Sequence, residues 1–181
     1  MPTFRLDPDV SSLALRTRAA GMLARLAHDL EIAALKLSAE VTADAAGAWS
    51  AELLVPVAAL RVAGTLKGDR FDPDGLSPGD RAEVERKIRD EVLAGTREVR
   101  VRASGPSRDQ AEARVELASG AATVKARLSA SDQPGGAVRV TGTCALSLRA
   151  LGVREVKAPL GAFKLRDDVE VLFDLTLRPE A

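Results

Sequence analysis

Aromatic residues are scarce in this chain of 181 residues, which contains four Phe, one Trp and no Tyr. Aromatic side chains supply much of the bulk of most protein cores, so the interior here must be built from Leu, Val, Ile and Ala. Hydrophobic residues make up 46% of the chain, enough to bury a proper core. The length is typical of one domain, and we interpret residues 1–181 as a single domain.

Cysteine and histidine are almost absent as well. The single cysteine, Cys144, cannot form an internal disulfide, and its position in an alternating pattern predicts a small buried hydrophobic residue. One cysteine and one histidine, His28, fall short of the roughly three or four ligands that a zinc site needs. We therefore predict that the chain holds no metal.

The chain also lacks an excess of either charge and any long apolar run. Lys and Arg number 26, as do Asp and Glu, which argues against a nucleic-acid partner. The longest apolar run, "LLVPVAAL", is interrupted by Pro56 and is far shorter than the roughly 20 residues of a membrane span. The opening "MPTFRLDPDV" has neither the basic nor the apolar region of a secretory signal. We expect a cytoplasmic protein.

Most of the chain alternates apolar residues with charged or polar ones. In "EVRVRAS", Val99 and Val101 lie opposite Arg100 and Arg102, and "DVEVLFDLTL" near the end of the chain alternates in the same way. A period of two with one charged face predicts an antiparallel sheet that is wet on one side. Closing the sheet into a barrel hides its apolar face and removes its edges. The alanine-rich inward faces favour an open interior.

One segment predicts a surface helix over about residues 77–94. In "GLSPGDRAEVERKIRDEVLAG", Ser77 is a natural N-cap and Pro78 occupies the first helical position. Val84, Ile88 and Val92 form an apolar stripe too narrow for a core helix.

A second segment, "GMLARLAHDLE", predicts a short helix over about residues 20–28. We interpret it as a plug whose apolar side closes one end of the barrel. The alternative is an amphipathic lid that touches a membrane transiently while a lipid enters or leaves.

A catalytic role for His28 would need a nucleophile such as Ser38 or Cys144, with Asp29 orienting the imidazole. Adjacent residues on a helix point in different directions, so Asp29 is poorly placed for that role. The sequence also contains no nucleophile-elbow motif. We therefore predict that the protein is not an enzyme.

Three stretches taken together carry a resemblance to a known family. They are the opening "FRLDPDVSSLAL", the capped helix "LSPGDRAEVERKIRDEVL" and the closing block "LSLRALGVREVKAPLGAFKLRDDVEVLFDLTL". Together they resemble the YceI-like family of small lipocalin-like proteins, many of which are periplasmic. The resemblance spans essentially the whole chain. It implies an all-β, extended antiparallel barrel of about eight strands whose apolar interior holds an isoprenoid or a similar long-chain lipid.

The resulting hypothesis is non-enzymatic binding, sequestration or transfer of an isoprenoid, quinone or fatty-acyl lipid, with no cofactor apart from such a lipid. The predicted cavity lining consists of inward-facing residues: Leu13, Leu15, Leu35, Leu37, Leu53, Val55, Val99, Val101, Val115, Leu117, Leu146, Leu148, Phe173 and Leu175. The predicted cavity mouth consists of Met22, Leu26, His28 and Phe163. The alternative is a barrel filled by its own side chains that acts as a protein-interaction or stress-response module. The sequence leaves the identity of the lipid and the oligomeric state open.

Overall fold

The computed structural model describes residues 1–21, 28–156 and 164–180. The strands, in chain order, are β1 (Thr3–Leu6), β2 (Ser12–Thr17), β3 (Ala19–Ala20), β4 (Asp29–Ala34), β5 (Ser38–Ala43), β6 (Trp49–Pro56), β7 (Leu60–Lys67), β8 (Arg70–Asp72), β9 (Glu98–Gly105), β10 (Gln110–Leu117), β11 (Gly120–Asp132), β12 (Val138–Ser147), β13 (Lys164–Leu165) and β14 (Asp168–Pro179). Eight of them pair antiparallel in a closed barrel, in the order β1–β5–β6–β9–β10–β11–β12–β14, with β14 returning to β1. The predicted barrel is confirmed.

Strand β14 joins the barrel to a second part of the sheet. Its C-terminal part pairs with β1, where Leu177 lies opposite Leu6, and its N-terminal part pairs with β2, where Phe173 lies opposite Leu13. From β2 the sheet continues through β4 and β7 to β8. The sheet therefore forks between β1 and β2, and strands β2, β4, β7 and β8 form a wing outside the barrel.

The predicted surface helix is confirmed. Helix α1 spans Pro78–Lys87 and continues as one wider π-helical stretch, Ile88–Val92. The Ser77 hydroxyl accepts a hydrogen bond from the Asp80 backbone amide at 3.1 Å, which caps the first turn as the sequence predicts. Within the described residues, no helix is both long and apolar enough to cross a membrane.

Side chains of α1 form hydrogen bonds with backbone groups of β7 that face no neighbouring strand. The Glu85 carboxylate accepts a hydrogen bond from the Val62 amide at 2.9 Å. The Arg81 guanidinium donates to the Val62 carbonyl, to the Ala63 carbonyl at 3.1 Å and to the Pro73 carbonyl at 2.7 Å. At Val62 and Ala63, side chains thus replace the backbone partners that a neighbouring strand would supply, so these partly buried polar groups are paired.

Buried side chains gather at the fork and at one end of the barrel. The larger cluster lies where the barrel and the wing meet: Leu6, Ile32, Ala34, Leu37, Val55, Leu60, Val62 and Leu177. Leu76, Val84, Ile88 and Leu93, from the helix and its flanks, pack against it. The smaller cluster, Val115, Leu151 and Val153, lies at the end of the barrel where β10 and β12 finish.

The stretch "EIAALKLSAEV" forms two strands rather than one. Strand β4 ends at Ala34, the chain bends at Leu35, and β5 starts at Ser38. The pairing of β4 with β7 also shifts register between Glu31 and Ile32. The bend and the shift explain why Ile32 and Leu35 break the regular alternation in the sequence.

The predicted plug helix over about residues 20–28 falls mostly outside the described residues. Ala20 belongs to β3, which pairs with Lys164 of β13, and Asp29 begins β4. The described flanks of this segment are therefore extended, and the helix itself stays a prediction.

Replacing Arg81 by Leu is expected to lower the free energy of unfolding by about 1–3 kcal/mol, because it leaves carbonyl groups on the β7 edge without partners. Leu keeps the apolar part of the side chain. Urea unfolding measures the effect. Arg86→Leu is the control, since Arg86 on the same helix contacts only exposed acids. Equal losses in the two variants would contradict the role given to Arg81.

Candidate ligand-binding cavity

The barrel encloses a cavity of about 570 Å³. Its wall is formed by the inward-facing side chains of the barrel strands and of β2, which alternate with charged residues on the outer face. The volume falls within the range of roughly 300–1,000 Å³ that is usual for ligand pockets. An eight-stranded barrel either fills its interior with side chains or leaves room for one small ligand. This barrel leaves room.

Twelve of the fourteen residues predicted to line the cavity lie on its wall. They are Leu13, Leu15, Leu53, Val55, Val99, Val101, Val115, Leu117, Leu146, Leu148, Phe173 and Leu175. Strand alternation accounts for those on the barrel strands, because every second residue faces inward. Leu13 and Leu15 lie on β2, which continues the same face of the sheet from β14. Their contact with a ligand stays a prediction.

The structure places the other two residues elsewhere. Leu35 is 66% exposed and Leu37 is 8% exposed, and neither lies on the cavity wall. Leu35 sits at the bend between β4 and β5, where strand alternation does not apply, so its inward assignment was wrong. Leu37 follows the same bend and packs into the cluster at the fork of the sheet.

Of the four predicted mouth residues, Met22, Leu26 and Phe163 lie outside the described residues. His28 is exposed and is not on the cavity wall. His28 directly precedes β4. Strand β4 pairs with β2, and β2 pairs with the N-terminal part of β14, so His28 lies towards that end of the sheet. The structure thus separates His28 from Cys144, which faces the cavity, and Ser38 is exposed at the start of β5.

The charged residues of the cavity wall are Asp44, Arg108 and Asp132, and all three lie at the opposite end of the barrel, near the C-terminal end of β14. The Arg108 guanidinium donates to the Asp132 carboxylate at 2.6 Å, and this contact lowers the pKa of the Asp132 carboxyl. The Asp44 carboxylate accepts hydrogen bonds from the Ala46 and Ala48 amides, each at 2.9 Å. We call these three residues the charged rim.

The segment after β12 contributes to the wall at the other end of the cavity. Leu151 lines the cavity and is 3% exposed. Its carbonyl accepts a hydrogen bond from the Ser119 hydroxyl at 2.7 Å, which ties the segment to the turn between β10 and β11. Gly152 has φ of +75° and lies so close to Ser119 that a Cβ would collide with its carbonyl. Leu151 is therefore held in place on the cavity wall at this end.

Small side chains keep the interior open. Ala51, Ala103 and Ala113 lie side by side on the adjacent strands β6, β9 and β10. Ala111 of β10 is paired with Ala126 of β11. All five lie on the cavity wall. Larger residues at these positions would fill the space, so this alanine patch accounts for the cavity.

Two further wall residues were not among those predicted to line the cavity. Trp49 lines the cavity, and its indole Nε1 donates to the Ser107 carbonyl at 2.8 Å. Cys144 also lines the cavity, and burial raises the pKa of its thiol. Both share the inward face with predicted lining residues of β6 and β12, so the same alternation would have identified them. Within residues 1–21, 28–156 and 164–180, no group of His, Cys, Asp and Glu is arranged to hold a metal ion.

Two solved structures share this architecture. One is the crystal structure of BcnA from Burkholderia cenocepacia, with a TM-score of 0.65 and 15% identity over 94% of this chain and 98% of that chain. The other is a polyisoprenoid binding domain from Saccharophagus degradans implicated in plant cell wall breakdown, with a TM-score of 0.67 and 12% identity over 98% of both chains. The chain has the YceI-like fold. No protein-family model and no curated protein matches its sequence.

The open cavity has a direct consequence for stability. Ala103→Leu is expected to leave the free energy of unfolding unchanged or to raise it by about 0.5–2 kcal/mol, because the added side chain fills empty space. In a barrel already filled by side chains, the same change would cost about 1–3 kcal/mol. Urea unfolding of the delipidated protein distinguishes the two. Ala145→Leu on the exposed outer face of β12 is the matched control.

Proposed function

We propose that this protein binds a long-chain hydrophobic molecule inside its barrel, and sequesters or transfers it without breaking a bond. The observation that carries the proposal is an apolar cavity of about 570 Å³ whose charged residues are confined to one end. A site of this kind provides no groups that converge on a reacting bond, and it favours ligands with little polarity.

The driving force is the burial of apolar surface. Each carbon removed from water contributes about 0.8 kcal/mol, so a five-carbon isoprene unit contributes about 4 kcal/mol before the costs of association. A few such units suffice without any strong polar contact. The charged rim keeps solvent at one end, so the polar end of the ligand lies there and the chain extends towards Leu151.

The similar domain from Saccharophagus degradans is described as polyisoprenoid binding. Its likeness to this chain supports a prenyl-type lipid as the ligand to test first. A fatty-acyl lipid or a quinone is the alternative within the same proposal.

The first experiment is mass spectrometry of the protein purified from its native host without detergent, together with its organic-solvent extract. We expect one hydrophobic molecule in stoichiometric amount. A protein without lipid that takes up no added isoprenoid alcohol, fatty acid or quinone would contradict the proposal, and would favour a protein-interaction role for the barrel.

Leu53→Trp is expected to weaken uptake of the identified lipid by about tenfold or more, since even one methylene of lost space changes binding by about that factor. Leu53 lies on the cavity wall, whereas Leu54 is the next residue on β6 and points away from it. Leu54→Trp is therefore the matched control and should bind as the unchanged protein does. Equal binding by both variants would show that the lipid lies outside the cavity.

The reactivity of the Cys144 thiol is expected to report whether a lipid occupies the cavity. Burial raises the pKa of its thiol, so at neutral pH little of the reactive thiolate is present. Alkylation by N-ethylmaleimide is expected to be slow in the folded protein, slower still with lipid bound, and fast in urea. Intact-mass measurements over time follow the reaction. A rate that does not depend on added lipid would show that the ligand does not cover this wall.

A further inference from the structure

Two aromatic side chains of the cavity wall lie against glycines on the neighbouring strand. Phe173 is paired with Gly142, and a Cβ added to Gly142 would lie 2.5 Å from Phe173 Cζ and 3.0 Å from its Cε2. Trp49 is paired with Gly105, where a Cβ would lie 2.7 Å from Trp49 Nε1. In both pairs the aromatic ring occupies the space that a side chain on the glycine would need. The rings therefore lie along the wall and not across the cavity.

The Gly142–Phe173 pair lies away from both ends of its strands. Phe173 falls in the middle of β14, between the charged rim and Leu151, whereas Trp49 is the first residue of β6. In the barrel order, β9 with Ala103 lies opposite β14. The width of the cavity between these two strands depends on small residues such as Ala103 on one wall and on the position of the Phe173 ring on the other.

We infer that Gly142 and Phe173 form the specificity-determining contact of the cavity: the glycine keeps the ring on the wall, and this admits a hydrocarbon chain that carries methyl branches. The inference rests on the proposed function, because it concerns the ligand of the same cavity. A side chain at position 142 pushes the ring inward. A straight chain still fits the narrowed cavity, whereas a branched chain needs the width that the ring now occupies.

Two alcohols distinguish an effect on the width of the cavity from an effect on its affinity for lipids in general. Phytanol is hexadecan-1-ol with methyl branches along the same chain, so the two alcohols share their length and polar end. Gly142→Ala is expected to weaken phytanol binding by about tenfold or more while hexadecan-1-ol changes by less than about threefold, in line with the effect of one methyl group in an apolar pocket. Isothermal calorimetry on the delipidated full chain measures both affinities.

A second substitution links the effect to the ring. Phe173→Leu removes the ring that the new methyl group displaces, so Gly142→Ala combined with Phe173→Leu is expected to regain phytanol binding. A purely structural defect at Gly142 would persist in the double variant. Gly64→Ala is the control on the wing, because a Cβ there would collide with the Asp72 carbonyl and lie 2.7 Å from Phe71 Cε2, away from the cavity. It should leave the ratio of the two affinities unchanged.

Gly142→Ala also brings a Cβ within 2.8 Å of the Arg127 carbonyl, so this variant stresses the pairing of β11 and β12. Phe173→Trp narrows the cavity without that contact and provides the same test, with phytanol lost in preference to hexadecan-1-ol. Equal losses for both alcohols, or no recovery in the double variant, would overturn the inference. If the unchanged protein binds neither alcohol nor any other lipid, the proposed function itself fails.

Discussion

Pairing of β14 with both β1 and β2 is the constraint on which the rest of the structure depends. Leu177 opposite Leu6 closes the barrel, and Phe173 opposite Leu13 starts the wing from the same strand. A closed barrel has no free edge, and in this barrel the apolar face of the sheet lines the interior. Because the wing branches from this strand, the helix can cover the wing edge while its apolar residues complete the cluster at the fork.

The open interior leaves space inside the barrel at the expense of side-chain packing. Protein interiors are normally packed to the density of organic crystals, and empty apolar space costs stability. Alanines at positions 51, 103 and 113 forgo the packing that larger side chains would provide. A ligand of the kind we propose would restore those contacts, so its binding would stabilise the folded barrel.

Strand alternation in the sequence identified most of the cavity wall, because period two holds wherever a strand is regular. Leu53, Val101 and Leu146 lie where that rule puts them. Leu35 does not, because a bend between two strands cannot be told from a strand by hydrophobicity alone. The charged rim was not found either: Arg108 lies in the loop between β9 and β10, Asp132 is the last residue of β11, and the two meet because of the register in which β10 pairs with β11. The pairing of Gly142 with Phe173 also depends on the register of the two strands, which the sequence does not show.

The hydrogen bonds from Glu85 and Arg81 to the β7 edge also concern how the protein behaves among its own copies. An exposed strand edge is a template on which a strand from another molecule can add. Here the donor and acceptor of Val62 are already engaged by the helix, and β8 pairs with the C-terminal end of β7, from Thr65 to Lys67. The same hydrogen bonds that hold the helix on the wing thus leave this part of the β7 edge without free groups for pairing with a strand of another molecule.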